Sequence, residues 1–168
     1  IEYIVRAANL LKKYKDIEFR IYGSGQTLDD MLTLYKKLGL NNIIFDDIYV
    51  SNDFFERDYL YINQHNGTFK ETLVDQLREI SLGAMGADMA DINNDAYPEI
   101  FATEMTPEGN TRLKTKALFE NWENYQTKLQ NGYYHQFARN VLQLNNRNGS
   151  FSEIGRLAGV SSTDWSWG

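Results

Sequence analysis

A fifteen-residue pattern occurs twice in this chain. Arg57-Asp58-Tyr59-Leu60-Tyr61-Ile62-Asn63-Gln64-His65-Asn66-Gly67-Thr68-Phe69-Lys70-Glu71 matches Arg139-Asn140-Val141-Leu142-Gln143-Leu144-Asn145-Asn146-Arg147-Asn148-Gly149-Ser150-Phe151-Ser152-Glu153, 82 residues further on (139 less 57). Each copy alternates apolar and polar residues, makes an Asn-Gly step where positive φ is needed, and resumes with Thr/Ser-Phe. That is the pattern of a β-hairpin. The same offset pairs Met85-Gly86 with Trp167-Gly168. From Asp47 on, the chain reads as β-rich and turn-rich, built on a repeated unit.

Between the copies lies Asp91-Ile92-Asn93-Asn94-Asp95-Ala96-Tyr97-Pro98-Glu99. Asp91, Asn93, Asp95 and Glu99 put oxygen-bearing side chains at positions one, three, five and nine of a short loop. Hard cations such as calcium take oxygen ligands from closely spaced carboxylates, amides and backbone carbonyls. An EF-hand would need Gly at position six and Glu at position twelve, between two helices. Here those positions are Ala96 and Ala102, and Glu99-Ile100-Phe101-Ala102-Thr103 reads as strand, so the EF-hand is excluded.

The remaining totals narrow the function classes. At 168 residues, 42% hydrophobic and 14% aromatic, the chain is long enough for a core. A net charge of -6 argues against nucleic acid as the main partner, because phosphate neutralisation needs clustered Lys and Arg. Residues 1–46 carry seven basic and six acidic side chains and the remainder ten and seventeen, so the acidity lies with the loop. With no cysteine, thiolate metal sites and disulfides are ruled out. No apolar run reaches membrane-spanning length, and no signal peptide is evident. The chain begins at Ile1 rather than Met and is read as a piece of something longer.

Residues 1–45 have a different rhythm. Ile1 to Tyr14 has helical spacing, Ile17 to Tyr22 alternates as a strand, and Gly23-Ser24-Gly25 stops it. A helix is expected from an N-cap at Thr27 to a C-cap at Gly39, then a buried strand Ile43-Ile44-Phe45. This helix–strand–helix–strand order is that of a βαβ fragment. Between the hairpins a further helix is expected from Thr111 to Leu129, with Leu113, Ala117, Leu118, Trp122, Tyr125 and Leu129 packing on the β portion.

Residues 47–168 resemble the FG-GAP/VCBS-repeat β-propeller proteins, especially those that also carry an ASPIC/UnbV domain. Carrying the resemblance are Asp47 to Asp58, the two hairpins, Gly86-Ala87-Asp88-Met89-Ala90-Asp91-Ile92-Asn93-Asn94-Asp95, and Thr163-Asp164-Trp165-Ser166-Trp167-Gly168. In that family each blade holds a calcium loop, Asp-x-Asn/Asp-x-Asp-Gly-x-x-Asp, between two strands. The resemblance implies Ca2+ as the cofactor, with Asp91, Asn93, Asp95 and Glu99 as side-chain ligands and Tyr97 giving its backbone carbonyl. Ala96 stands where the family has Gly, and a positive φ there would cost roughly 1 kcal/mol. Glu99 stands for the commoner Asp and reaches one methylene further.

Residues 1–45 resemble part of the nucleotide-sugar domain of GT-B-fold, group-1 glycosyltransferases, on Glu2 to Leu11, Phe19-Arg20-Ile21-Tyr22-Gly23-Ser24-Gly25 and Leu38 to Phe45. That resemblance implies a phosphate contact at Gly23 and Gly25, but a lone Gly pair after a strand is more commonly an ordinary tight turn, and that is the favoured reading. The family's diphosphate-holding basic residues and its donor motif are missing, and Glu71 and Glu79 match that motif's spacing by coincidence. The two resemblances meet at Phe45-Asp46-Asp47 without a linker, which suggests a chimera or fragment. Asp47 corresponds to the last ligand of an earlier loop.

Other candidates are weaker. His65 and His135 are expected at the surface or in packing, and no serine has the context of a nucleophile. Asp53, Glu56 and Asp58 are expected to form a solvated acidic loop, and Asp88 to hydrogen-bond the loop backbone or add an outer ligand. Trp165, Trp167, Tyr133, Tyr134 and Phe137 are expected to pack rather than to line a carbohydrate surface.

The expectation is a mixed fold. An α/β Rossmann-like segment at 1–46 precedes a partial β-propeller at 47–168, with a helical insertion at about 108–132. Its function would be calcium-dependent, structural or interactive rather than enzymatic, outside the cell or at its surface, with a protein or carbohydrate partner. The alternative is a glycosyltransferase fragment that uses a nucleotide-sugar donor.

Overall fold

A computed structural model describes residues 8–14, 19–21, 37–40, 43–53, 56–116 and 120–166. The described part is β-rich, with two antiparallel sheets, two parallel strand pairs, few helices and no closed barrel. Near the start, β1 (Phe19–Ile21) and β2 (Ile43–Phe45) pair in parallel, Phe19 opposite Ile43. A parallel pair needs a crossover connection, as in a βαβ unit. Of the helix expected from Thr27, residues 37 and 38 are helical, and Gly39 takes φ +57°, the left-handed C-cap conformation.

Two antiparallel sheets follow. The first is β3 (Ile48–Val50), β4 (Tyr59–Asn63) and β5 (Phe69–Glu71), in that order. A four-residue helix, α1 (Leu73–Gln76), and a two-residue strand, β6 (Ile80–Ser81), lead on to β7 (Gly86–Ala90) and β8 (Glu99–Thr103). The helices α2 (Asn110–Lys116) and α3 (Trp122–Gln130) precede β9 (Gln136–Phe137), β10 (Val141–Asn145) and β11 (Phe151–Glu153). The second sheet runs β7-β8-β10-β11, four antiparallel strands, while β9 pairs with β6 in parallel.

The duplicated sequence folds as duplicated structure. Tyr61, Ile62 and Asn63 face Glu71, Lys70 and Phe69; Gln143, Leu144 and Asn145 face Glu153, Ser152 and Phe151, each 82 residues further on. The turns agree too, but neither is a two-residue Asn-Gly turn. Five residues, 64–68 and 146–150, close each hairpin, and positive φ falls on His65 and Gly67, and on Arg147 and Gly149. The asparagine caps instead: Asn66 Oδ1 accepts from Thr68 N at 3.0 Å, and Asn148 Oδ1 from Ser150 N at 3.1 Å. An arginine braces each hairpin, Arg57 on Glu71 at 3.0 Å and Arg139 on Glu153 at 3.2 Å. The glutamate's other oxygen takes the next amide, Leu73 N at 2.9 Å and Gly155 N at 2.6 Å.

The strand before each hairpin corresponds as well. Tyr49 pairs with Leu60 as Phe101 pairs with Leu142, so β3 maps onto β8 and Asp47 onto Glu99. In the first copy, residues 51–58 suffice to connect β3 to β4; in the second, 104–140 carry the helices. Tyr49, Leu60, Leu73, Leu77, Ile80, Ile100, Ala102, Val141 and Phe151 form one buried cluster between the sheets. Each such large aliphatic or aromatic side chain contributes about 1.5–3 kcal/mol by leaving water.

Two expectations change. The single helix from Thr111 to Leu129 is two helices, and Trp122 does not pack on the β portion but is largely exposed. Asn121 explains the restart, because its side chain caps α3 by accepting from Asn124 N at 2.8 Å. The acidic cluster is not one solvated loop: Asp53 and Glu56 are exposed, but Asp58 is fully buried. It accepts from Asn52 N at 2.8 Å and from the Tyr49 hydroxyl.

Asn140 occupies the equivalent place in the second copy. Its oxygen accepts from Glu104 N at 2.6 Å, and its nitrogen donates to Val160 O and Thr163 Oγ1 at 2.8 and 2.7 Å. The partner decides the residue: a hydroxyl donor selects Asp58, and two acceptors select Asn140. Burial raises the Asp58 carboxyl from 3.8 to about 6, against the pull of the Tyr49 hydroxyl and the Asn52 amide. Between those values the folded chain keeps a proton that the unfolded chain releases. Stability therefore falls as pH rises through this window, by up to about 3 kcal/mol from this group. Asp58→Asn should flatten that part of the profile while keeping the fold; urea midpoints at pH 4.5 and pH 7 for both proteins check it.

Candidate metal centre

The loop 91–99 joins β7 to β8, so its ends are fixed by adjacent paired strands, Ala90 opposite Glu99. It is held by its own acids. Asp91 accepts from Asp95 N at 2.9 Å through one oxygen and from Ala96 N at 2.8 Å through the other. Asp95 Oδ1 accepts from Tyr97 N at 2.8 Å. Glu99, only 1% exposed, reaches back and accepts from Ile92 N and Asn93 Nδ2, both at 3.0 Å. Asp91, Asn93, Asp95 and Glu99 thus share one hydrogen-bonded turn. Tyr97 enters it through its N–H.

This network requires two left-handed residues. Asn94 takes φ +60°, which asparagine tolerates, and Ala96 takes φ +69°, at the position where glycine would be free of strain.

A residue outside the loop completes it. Arg147, at the left-handed position of the second hairpin turn, gives Nε and a terminal nitrogen to Asp95 Oδ2 at 2.8 and 2.6 Å. Its guanidinium also lies 5.9 Å from the centre of the Tyr97 ring, and the neighbouring Asn145 donates to Pro98 O at 3.3 Å. Desolvation would raise the Asp95 carboxyl, but the Tyr97 amide, Arg147 and Asn93 together hold it below its ordinary value. Arg147 escaped the sequence reading, although its register with His65 placed it at the tip of a turn. The signal was a cation at a duplicated position facing an acidic loop.

In this arrangement each carboxylate oxygen of Asp91, Asp95 and Glu99 accepts a hydrogen bond. Among the described residues no group of three or more His, Cys, Asp or Glu converges closely enough to hold a metal ion. The donor chemistry nevertheless suits a hard cation: every side-chain ligand offers oxygen, and none offers sulfur or imidazole. Binding would require the carboxylates to turn from the amides and from Arg147.

The other candidates fall elsewhere. Gly23 and Gly25 lie outside the described residues. Asp88 is exposed and accepts from Met89 N at 2.8 Å, away from the loop backbone. His135 is a packing residue, its Nδ1 2.6 Å from the Tyr125 hydroxyl and its ring against Tyr134. His65 is exposed on its turn. Glu71 and Glu79 are bound separately, by Arg57 and Arg139. Tyr134 donates to Leu77 O at 2.9 Å, a packing role, whereas Trp165 is exposed. Among the described residues no helix is long and apolar enough to cross a membrane.

No curated protein and no solved structure shows significant similarity to the chain. One family model does match: residues 40–102 carry an FG-GAP-like repeat, which takes in the first sheet, the whole of the loop and most of β8.

Proposed function

We propose that this chain is a calcium-binding, β-propeller-type repeat segment with a structural or interaction role outside the cell or at its surface. The observation that carries it is the position of the loop: an oxygen-only donor set spans two adjacent strands of a four-stranded antiparallel sheet, within an FG-GAP-like repeat. Propeller blades are four-stranded antiparallel sheets. Here β7-β8-β10-β11 has that form, and β3-β4-β5 matches its last three strands.

Asp91, Asn93, Asp95 and Glu99, with the Tyr97 carbonyl, would hold the ion. Calcium would supply the positive charge that the clustered carboxylates need and pin the turn between the strands. It would have to displace Arg147 from Asp95, and it would meet a loop strained at Ala96. Displacing Arg147 weakens binding, and support for an extracellular or surface setting comes from the FG-GAP-like match. No reacting group is part of this reading, and the role is not catalytic.

The parallel β1–β2 pair supports an α/β arrangement for residues 1–45. The second reading, a glycosyltransferase-like segment whose Gly23 and Gly25 would approach a nucleotide-sugar phosphate, rests on the sequence resemblance alone. On that reading alone the chain is indifferent to calcium.

Three measurements decide between them. Calcium at about one hundred times its dissociation constant should raise the unfolding midpoint by roughly 5–10 °C over excess chelator, and Asp91→Ala should abolish the rise. An unchanged midpoint in a cooperative transition would refute the calcium reading. Arg147→Gln should tighten calcium binding by roughly two- to fivefold in calorimetry, because a competing cation is removed. Ala96→Gly should stabilise the protein by up to about 1 kcal/mol in chelator and leave calcium affinity nearly unchanged in calorimetry, since Ala96 already holds positive φ without the ion.

A further inference from the structure

The connection between β8 and β10, which includes β9, borders a half-open cavity of about 680 Å³ whose lining includes no residue of the loop. One side of it is aromatic. The ring centres of Trp122 and Tyr125 are 5.5 Å apart at an interplanar angle of 31°, and those of Tyr125 and Phe137 are 6.0 Å apart at 28°. The three rings therefore overlap in steps, each partly covering the next, with the Arg139 guanidinium 5.1 Å from the centre of the Phe137 ring, so the open part of this stepped shelf is the outer face of Trp122. Tyr125 is fixed in place by the His135 contact, while Trp122, the outermost ring, is 71% exposed. A large exposed aromatic whose neighbours are held rigid marks a contact surface.

The polar lining is unusual. Gln136 is 3% exposed and Arg139 9%, yet Gln136 Oε1 and Arg139 Nε have no hydrogen-bond partner. Both side chains are anchored at their other ends. Gln136 donates to Glu56 O at 3.2 Å, and a terminal nitrogen of Arg139 is held by Glu79 and Glu153. Leaving such buried groups unmet is destabilising. At a cavity wall the cost is recovered when something polar arrives, directly or through water. Arg156 adds an exposed guanidinium to the same lining.

We propose that this cavity is a saccharide-binding site that takes one or two pyranose units of an oligosaccharide along the shelf of Trp122, Tyr125 and Phe137. A pyranose ring has an apolar face of C–H groups, weakly positive, and an edge of hydroxyls. The faces of the aromatic rings complement the first. Planar amide and guanidinium groups, which present fixed in-plane donors and acceptors, complement the second. A cavity of this size, part aromatic with a few placed polar groups, has the character of a small-ligand site. A peptide side chain would call for a pit between rings, and rings that overlap at 31° and 28° leave none. The proposal is independent of calcium at the loop.

The intact chain, in excess chelator, should be applied to immobilised oligosaccharides of neutral and uronic-acid pyranoses, with tryptophan fluorescence as the solution readout. One sugar class should be retained. Trp122→Ala should weaken it at least tenfold at an unchanged unfolding midpoint, Trp122→Phe should restore part of the affinity, and Leu157→Ala, an exposed apolar residue outside the cavity, should change nothing. Failure to retain any sugar would overturn the proposal. So would equal binding by Trp122→Ala, or capture at this shelf of displayed peptides but no saccharide.

Discussion

Glu99 is the side chain on which the candidate site depends. It occupies the first position of β8, where the backbone pairs with Ala90 of β7, and the residue is almost wholly removed from water. A carboxylate in that position is costly unless it accepts hydrogen bonds or meets a cation. The loop's own Ile92 amide and Asn93 side chain supply the bonds. One buried charge thereby sets where the loop turns back, and the acids at Asp91 and Asp95 then cap its amides in sequence. The longer reach of Glu over Asp permits this: a carboxylate anchored in the strand can extend seven residues back to Ile92. At the equivalent position the first sheet has the shorter Asp47, which instead accepts from Asn63 N at 3.0 Å, on the neighbouring strand.

Much of the second part of the fold was legible because duplication constrains what a hairpin can do. Asn-Gly followed by Thr/Ser-Phe located both turns, and the structures repeat to the residue in register, bracing arginine and cap. What the Asn-Gly step concealed was which residue turns left-handed. The glycine does, but its partner is His65 or Arg147, because the asparagine serves as a side-chain acceptor and keeps negative φ. Since a residue at αL projects from the tip of the turn, Arg147 reaches a loop fifty-two residues away in sequence. Local pattern does not encode such a contact, which depends on two strands, β8 and β10, lying side by side.

Burial was the least legible property. Asp58 sits in a run with Asp53 and Glu56 that looks like solvated loop, and only the tertiary position of Tyr49 brings it inside. The amphipathic stripe of 111–129 failed for the opposite reason. Its periodicity is real, but Asn121 restarts the helix and turns Trp122 outwards, so that part of the stripe lines a cavity instead of a core. A hydrophobic pattern specifies that a face will be covered, not whether the protein or a ligand covers it.

These two departures share a cause. The first copy joins β3 to β4 through residues 51–58 and closes the connection on a buried acid. The second extends the connection to 104–140, and its counterpart Asn140 must tie down the chain beyond β11, at Val160 and Thr163, as well as the strand behind it. The longer connection leaves the sheet register untouched because Arg139 braces Glu153 as Arg57 braces Glu71, and Asn140 accepts from Glu104 N as Asp58 accepts from Asn52 N. Sheet geometry is thus insulated from the insertion, and the insertion is free to build a surface of its own. The metal-type loop and the aromatic cavity belong to the two ends of one four-stranded sheet: the loop connects β7 to β8, and the helices connect β8 to β10. The acidic loop and the aromatic cavity can differ independently because the strands between them keep one register.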